Sequence, residues 1–149
     1  MNLLSDITLR WYDDSSLLKE NPRELVELFM TSIGISSEVA IDLFEVLLIA
    51  KSKDIGLTRK DIKSNILELR KSRKIKDAED GLTDRNLQIW LKYFIEIKLV
   101  DRIGKRYRFT NNKKPSIAFS QYTKPLVDES VLYVEKILKK LEEEYKIKR

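Results

Sequence analysis

Residues 81–110 read GLTDRNLQIWLKYFIEIKLVDRIGKRYRFT, and the fold turns on them. Gly81 and Leu82 end the run before, and Thr83 carries the hydroxyl of a helix N-cap. Behind it Leu87, Leu91 and Phe94 recur at i, i+4 and i+7, with Trp90 and Ile95 flanking the same face, which predicts a helix over 84–97 with one apolar side. Lys98 and Leu99 close it. The runs 99–103 and 106–110 are β-prone and are joined by Gly104-Lys105, a two-residue connection with glycine first, as a type II′ turn requires. Alternation along this hairpin is expected to send Arg102, Arg106 and Arg108 to one face and Ile103, Tyr107 and Phe109 to the core side.

Working upstream, RKSRKIKDAED at 70–80 has only Ile75 and Ala78 to bury and reads as a solvated helix end and loop. Before it, Thr58 opens a helix with Asp61 three residues on, a capping-box start in which Asp replaces Glu, and Ile62, Ile66 and Leu69 form its buried stripe. Residues 55–57 make a short extended break. A helix beginning at Ser36 or Ser37 is apolar on nearly every side through 39–50, which marks it as central. Asn21-Pro22, a cap followed by proline at the first helical position, starts a helix that runs to about Ser32, with Gly34 as the stop.

Helix, short strand, helix, loop, helix and hairpin over about 37–110 resembles the winged helix-turn-helix superfamily of DNA-binding domains. The match is carried by the Thr83 cap, by Leu87, Leu91 and Phe94, by the Leu99-Val100 pair that starts the hairpin, and by the basic residues of the wing. With helices on both sides of that domain, the chain is similar to the dimeric archaeal and bacterial regulators of the MarR and PadR kind. Two positions depart from the pattern. Members commonly have glycine where Lys98 stands, and the link 75–82 is longer than usual. The expected fold is therefore mainly α with a small β-hairpin wing: an N-terminal helical extension at 1–35, the winged domain at 36–110, a basic tether at 111–126 and a heptad helix at 127–149.

The resemblance makes helix 84–97 the recognition helix, and its face opposite Leu87 and Leu91 carries Arg85, Ile89 and Lys92, with Asn86 and Tyr93 on one flank and Gln88 on the other. Arg can bridge the acceptors of guanine, Asn or Gln those of adenine, and an apolar side chain can meet a thymine methyl. Arg102, Lys105, Arg106 and Arg108 form a basic tip suited to phosphates or the minor groove. Arg59, Lys60 and Lys63 stand at a helix N-terminus whose amides also favour phosphate. The competing readings are plain solvated faces and an edge strand protected by charge.

In the last segment Val127, Val131, Val134, Leu138, Leu141 and Tyr145 follow spacings of 4, 3, 4, 3 and 4, a heptad seam that must be buried against something. A second subunit or the chain's own N-terminal helix are the two candidates. The tether holds two prolines and net positive charge, with Ile117, Phe119 and Tyr122 as anchors.

Composition narrows the chemistry. The 149 residues include no cysteine and no histidine, which removes disulfides, thiolate or imidazole metal sites and the common nucleophile–base couples. The four glycines are too far apart for a Gly-x-Gly phosphate loop. Acidic pairs such as Asp13-Asp14 fall in solvated runs, so no enzyme activity and no cofactor are expected. Net charge is +5, unevenly spread: 1–35 hold 3 basic and 6 acidic side chains, 36–110 hold 17 and 12, 111–126 hold 3 and 0, and 127–149 hold 6 and 6. No membrane span or signal peptide is legible, and cytoplasmic residence is expected. The leading expectation is a homodimeric, sequence-specific binder of double-stranded DNA. The alternatives are a sequence-indifferent architectural protein and an interaction module that docks a protein partner through Ile89, Trp90 and Tyr93.

Overall fold

The computed structural model describes all of residues 1–149. Four helix starts are set by short-range side-chain chemistry. Asn21 accepts from Arg23 N and opens α1 (Pro22–Ser32), and Ser37 accepts from Ala40 N and opens α2 (Glu38–Ser52). Thr58 and Asp61 make a reciprocal capping box at α3 (Arg59–Ser72), and Thr83 accepts from Asn86 N at α4 (Asp84–Glu96). The strands are β1 (Leu57–Thr58), β2 (Val100–Ile103) and β3 (Arg106–Phe109), paired antiparallel in the order β1-β3-β2. A mainly helical chain with one small three-stranded sheet results, as the pattern of elements implied.

All four helices also end alike. At the end of α4, Lys98 N donates to Ile95 O at 2.9 Å and Leu99 N to Phe94 O at 3.1 Å, the paired bonds of a Schellman motif. The residue that turns left-handed is Gly34 after α1, but Asp54, Lys74 and Lys98 after α2, α3 and α4. Lys98 thus holds a φ of 62° where the resembled family commonly uses glycine.

Phe44 of α2 ties the layers together. Its ring stacks on Phe29 of α1 at 4.8 Å, lies 5.7 Å from Phe94 of α4 and meets Phe109 of β3 edge-on at 5.6 Å. Around it Met30, Leu43, Leu47, Ile62, Ile66, Leu87, Leu91 and Val100 are buried, so the central helix is indeed the one that is apolar on most sides.

The hairpin corrects one expectation. Gly104 takes a φ of 61° with nothing within 4 Å of a would-be Cβ, so glycine serves the turn's dihedral and not a steric squeeze. Across that two-residue connection Ile103 pairs with Arg106 and Arg102 with Tyr107. Paired positions therefore sum to an odd number, and each face takes even positions from one strand and odd positions from the other. Arg102 shares a face with Tyr107 and Phe109. Ile103, expected on the core side, lies with Arg106 and Arg108 and is 57% exposed.

A second correction concerns 70–80. This run is not merely solvated, because Arg70 is buried and organises it. Arg70 Nε donates to Asp42 Oδ2 at 2.8 Å, and Arg70 Nη1 donates to the carbonyls of Ala78 at 2.9 Å and Asp80 at 2.7 Å. Arg73 forks onto Glu45 with two bonds of 2.7 Å, and Arg23 of α1 reaches Asp42 at 2.7 Å and Glu45 at 2.8 Å. Asp42 and Glu45 sit inside the junction of α1, α2 and α3, where a carboxylate must be paired, and arginines from both neighbours supply the charge. The hydrogen bond from Arg73, backed by Arg23, holds the Glu45 carboxyl below its usual range.

Residues 111–126 are more ordered than a tether. Asn111 and Asn112 are left-handed; Asn111 Nδ2 donates to Tyr122 Oη at 2.6 Å, Asn111 N to Asp101 Oδ2 at 2.8 Å, and Lys51 Nζ to Asn112 O at 2.7 Å. From this clamp α5 (Pro115–Ala118), a π turn (Phe119–Thr123) and α6 (Lys124–Glu144) follow without a break in helical backbone. Thr123 Oγ1 is buried at the π turn with no hydrogen-bond partner. α6 ends in a Schellman motif at left-handed Lys146. Val127 is half-buried, and every residue from 131 onward is exposed, so no other part of the chain covers Val131, Val134, Leu138, Leu141 or Tyr145. No helix is long and apolar enough to cross a membrane.

Candidate nucleic-acid interface

The capping box that starts α3 aims its first turn at the hairpin. Between them lies an open groove of about 750 Å³, lined by Thr58, Arg59, Lys60, Lys63 and Ser64 on one side and by Arg102, Lys105 and Tyr107 on the other. Asp84, the first residue of α4, also lines it, with Oδ1 3.6 Å from Lys63 Nζ. Five cations and one carboxylate therefore share a concave surface beside the N-terminus of α3. Two separate stretches of sequence, each read as basic, converge there.

Arg102 is held in place. Its Nε donates to Gly104 O at 2.8 Å and its guanidinium lies 5.7 Å over the Tyr107 ring, which leaves its terminal amino groups without a partner in the chain. This is the gain from the odd-sum register, which moves Arg102 toward α3. The same register takes Arg106 and Arg108 to the opposite face. Arg106 Nη1 donates to Gly56 O at 2.9 Å, and Arg108 Nε to Asp101 Oδ1 at 3.0 Å with under a third of its side chain exposed. The four-charge tip is split: Arg102 and Lys105 face the groove, and Arg106 and Arg108 tie the hairpin to its own scaffold. Beside Arg106, Asp61 is held below the usual carboxylate range, first by its bond from Thr58 N in the capping box.

On α4, Arg85, Gln88, Ile89 and Lys92 are exposed on the outer face, and Lys92 lies 3.8 Å from Glu96. Asn86 differs. Its Nδ2 donates to Gly81 O at 2.8 Å, so the amide braces the turn into α4. Tyr93 is half-buried, edge-on to Trp90 at 6.0 Å and to Phe94 at 5.7 Å, and burial followed by the charge of Asp6 raises its pKa. Ile89 is thus the one outward apolar group of the trio Ile89, Trp90 and Tyr93.

Ser64, Tyr107 and Thr58 belong to the groove and were not among the sequence candidates. Helical spacing places Ser64 and Leu67 one turn beyond Lys60 and Lys63, and alternation along the strand puts Tyr107 on the covered side as expected; that Arg102 shares this side follows only from the register. No group of histidine, cysteine, aspartate or glutamate side chains is arranged to hold a metal ion. Comparison with known protein families, with curated proteins and with solved structures finds no match.

Proposed function

We propose that the chain is a dimeric, winged-helix regulator that binds double-stranded DNA sequence-specifically. The observation that carries the reading is the convergence of Arg59, Lys60 and Lys63 with Arg102 and Lys105 in one groove, alongside the polar outer face of α4. A DNA backbone carries closely spaced phosphates, and a concave strip of cations plus helix-terminal amides matches that charge while fixing orientation. Arg85, Gln88, Ile89 and Lys92 are then the residues that meet base edges. The element order helix, strand, helix, helix, hairpin supports the winged-helix part of this reading. Paired subunits imply half-sites about one helical turn apart, or a multiple of that.

Gel shift against genomic fragments at graded salt tests it. The expected outcome is a subset of fragments bound tightly, with affinity falling steeply as salt rises. Equal affinity for every duplex would point instead to an architectural role, and no binding at low salt would end the DNA reading altogether. A protein-docking role has narrower support, since Tyr93 is half-buried and only Ile89, 49% exposed, is offered outward.

A further inference from the structure

A single hydrogen bond ties residues 114–149 to the rest of the molecule. It runs from Asn111 Nδ2 to Tyr122 Oη at 2.6 Å. Every other hydrogen bond and ion pair of that segment stays within it, among them Lys124 to Asp128 and Ser130 Oγ to Leu126 O. Ala118, Phe119 and Tyr122 also pack on the core, and Leu126 and Val127 are half-buried, so the root of α6 is anchored by apolar contact as well. Apolar contact holds without prescribing an orientation, whereas a hydrogen bond is directional.

Asn111 is bonded on both sides. Its backbone N–H donates to Asp101 Oδ2 at 2.8 Å, and the other oxygen of that carboxylate accepts from Arg108 Nε at 3.0 Å. β2, β3 and Asn111 are thus fixed to one carboxylate, and Asn111 carries that frame across to Tyr122. Glycine is the default residue at a φ of 53°, and asparagine tolerates it. A glycine would supply the turn but not the bond. On the far side, Tyr122 lies in the π turn, where α-helical bonding is interrupted and Thr123 Oγ1 is buried without a partner. The bond from Asn111 therefore falls where the helical ladder does least to align α6 with α5.

We propose that Asn111 is a positioning residue: through Tyr122 it fixes the direction of α6 against the hairpin, and thereby the separation of half-sites that the dimer accepts. The half-site clause rests on the proposed function; the fixing of α6 does not. One base pair added between two half-sites moves them apart by about 3.4 Å and rotates them by roughly 35°. A hairpin held at one angle to α6 cannot follow that change. One released from α6 can, at little cost in affinity.

The test uses the full chain, which has no cysteine of its own. Spin labels on Lys71→Cys and Lys139→Cys, both at exposed positions, report the distance from the end of α3 to α6. Labelled chains are diluted in unlabelled ones, so that only distances within a chain are read. Asn111→Gly keeps the left-handed backbone and its amide and loses the side chain, while Tyr122→Phe keeps the ring and loses the hydroxyl. The expected result is one narrow distance distribution in the parent, broadened roughly twofold in either variant and no further in the double variant, because both changes remove the same bond. Hydrogen exchange over 124–130 stays as slow as in the parent, which separates a change of direction from melting of α6; loss of that protection overturns the proposal. On the tightest duplex from the gel shift, one base pair inserted at the centre should weaken the parent roughly tenfold and the variants less than about threefold, with equal affinity of all for a single half-site. Equal widths in parent and variants, or widths that add in the double variant, overturn the positioning role. Unequal widths with the same spacer dependence overturn its part in half-site choice. If no duplex is bound, the DNA reading falls, and the distances still decide what Asn111 does.

Discussion

Arg70→Met is the most informative single perturbation of this fold. Methionine keeps the length of the arginine stem but removes the guanidinium, leaving Asp42 with Arg23 alone and the carbonyls of Ala78 and Asp80 without their donor. Breaking one side of a buried ion pair destabilises by about 3–5 kcal/mol. Asp42 retains an arginine at 2.7 Å, which moves the expectation toward the low end. The two carbonyls lose a charged donor, a contribution of about 1.5–3 kcal/mol each when buried, but they belong to a surface loop that water can reach. The sum is a loss of about 3–4 kcal/mol, read as a lower urea midpoint at unchanged slope. Adding Asp42→Leu removes the other charge, and the double variant should recover about 1–3 kcal/mol relative to additivity. A loss under about 1 kcal/mol for Arg70→Met, or strict additivity of the two substitutions, would refute the reasoning that this pair organises the junction.

Lys98→Gly should raise stability by about 0.5–1 kcal/mol, because the side chain is held in a left-handed conformation that glycine adopts freely; thermal melting reads the gain as a rise of a few degrees. Thr123→Val removes a buried hydroxyl that has no partner and keeps the shape, so a gain of about 1 kcal/mol in urea unfolding is expected, and a loss would mean the hydroxyl is bonded after all. Glu45 has a folded pKa below its ordinary 4.5, so its contribution to stability is complete above that value and disappears as pH falls through the folded pKa. Glu45→Gln should flatten the acid limb of stability against pH and lower stability at neutral pH. In duplex binding, Arg102→Ala and Lys105→Ala should each reduce the salt slope by about 1, while Arg106→Ala and Arg108→Ala, tied within the scaffold, should change it less.

What could be read from the residues was whatever a few neighbours decide. The caps at Asn21, Ser37, Thr58 and Thr83 are interactions over two or three positions, and all four stand where the side chains announce them. The apolar repeat of α4 and the glycine of the hairpin connection are equally local. The hairpin faces were misread because parity along one strand does not carry through a two-residue turn, and that error displaced Arg102 and Ile103 together. Arg70 looked like one more charge in a basic run, since its partner Asp42 lies 28 positions away and nothing local signals the pairing. The two prolines of 111–126 do not prevent its order, because Pro115 is the first residue of α5, where proline is tolerated, and Pro125 follows directly on the π turn, where the α-helical bonding pattern is already interrupted. The groove was legible as two basic stretches but not as one place, because only the β1-β3-β2 sheet brings α3 beside the hairpin.

The clamp of Asn111 on Tyr122 and the π turn beside it make a fulcrum for α6. A helix of 21 residues extends about 31 Å from that joint, so a swing of about 10° at the π turn carries its far end through about 5 Å. One extra residue in a single turn of helix therefore governs where everything beyond Ser130 points, and the lever has no second bearing along its length.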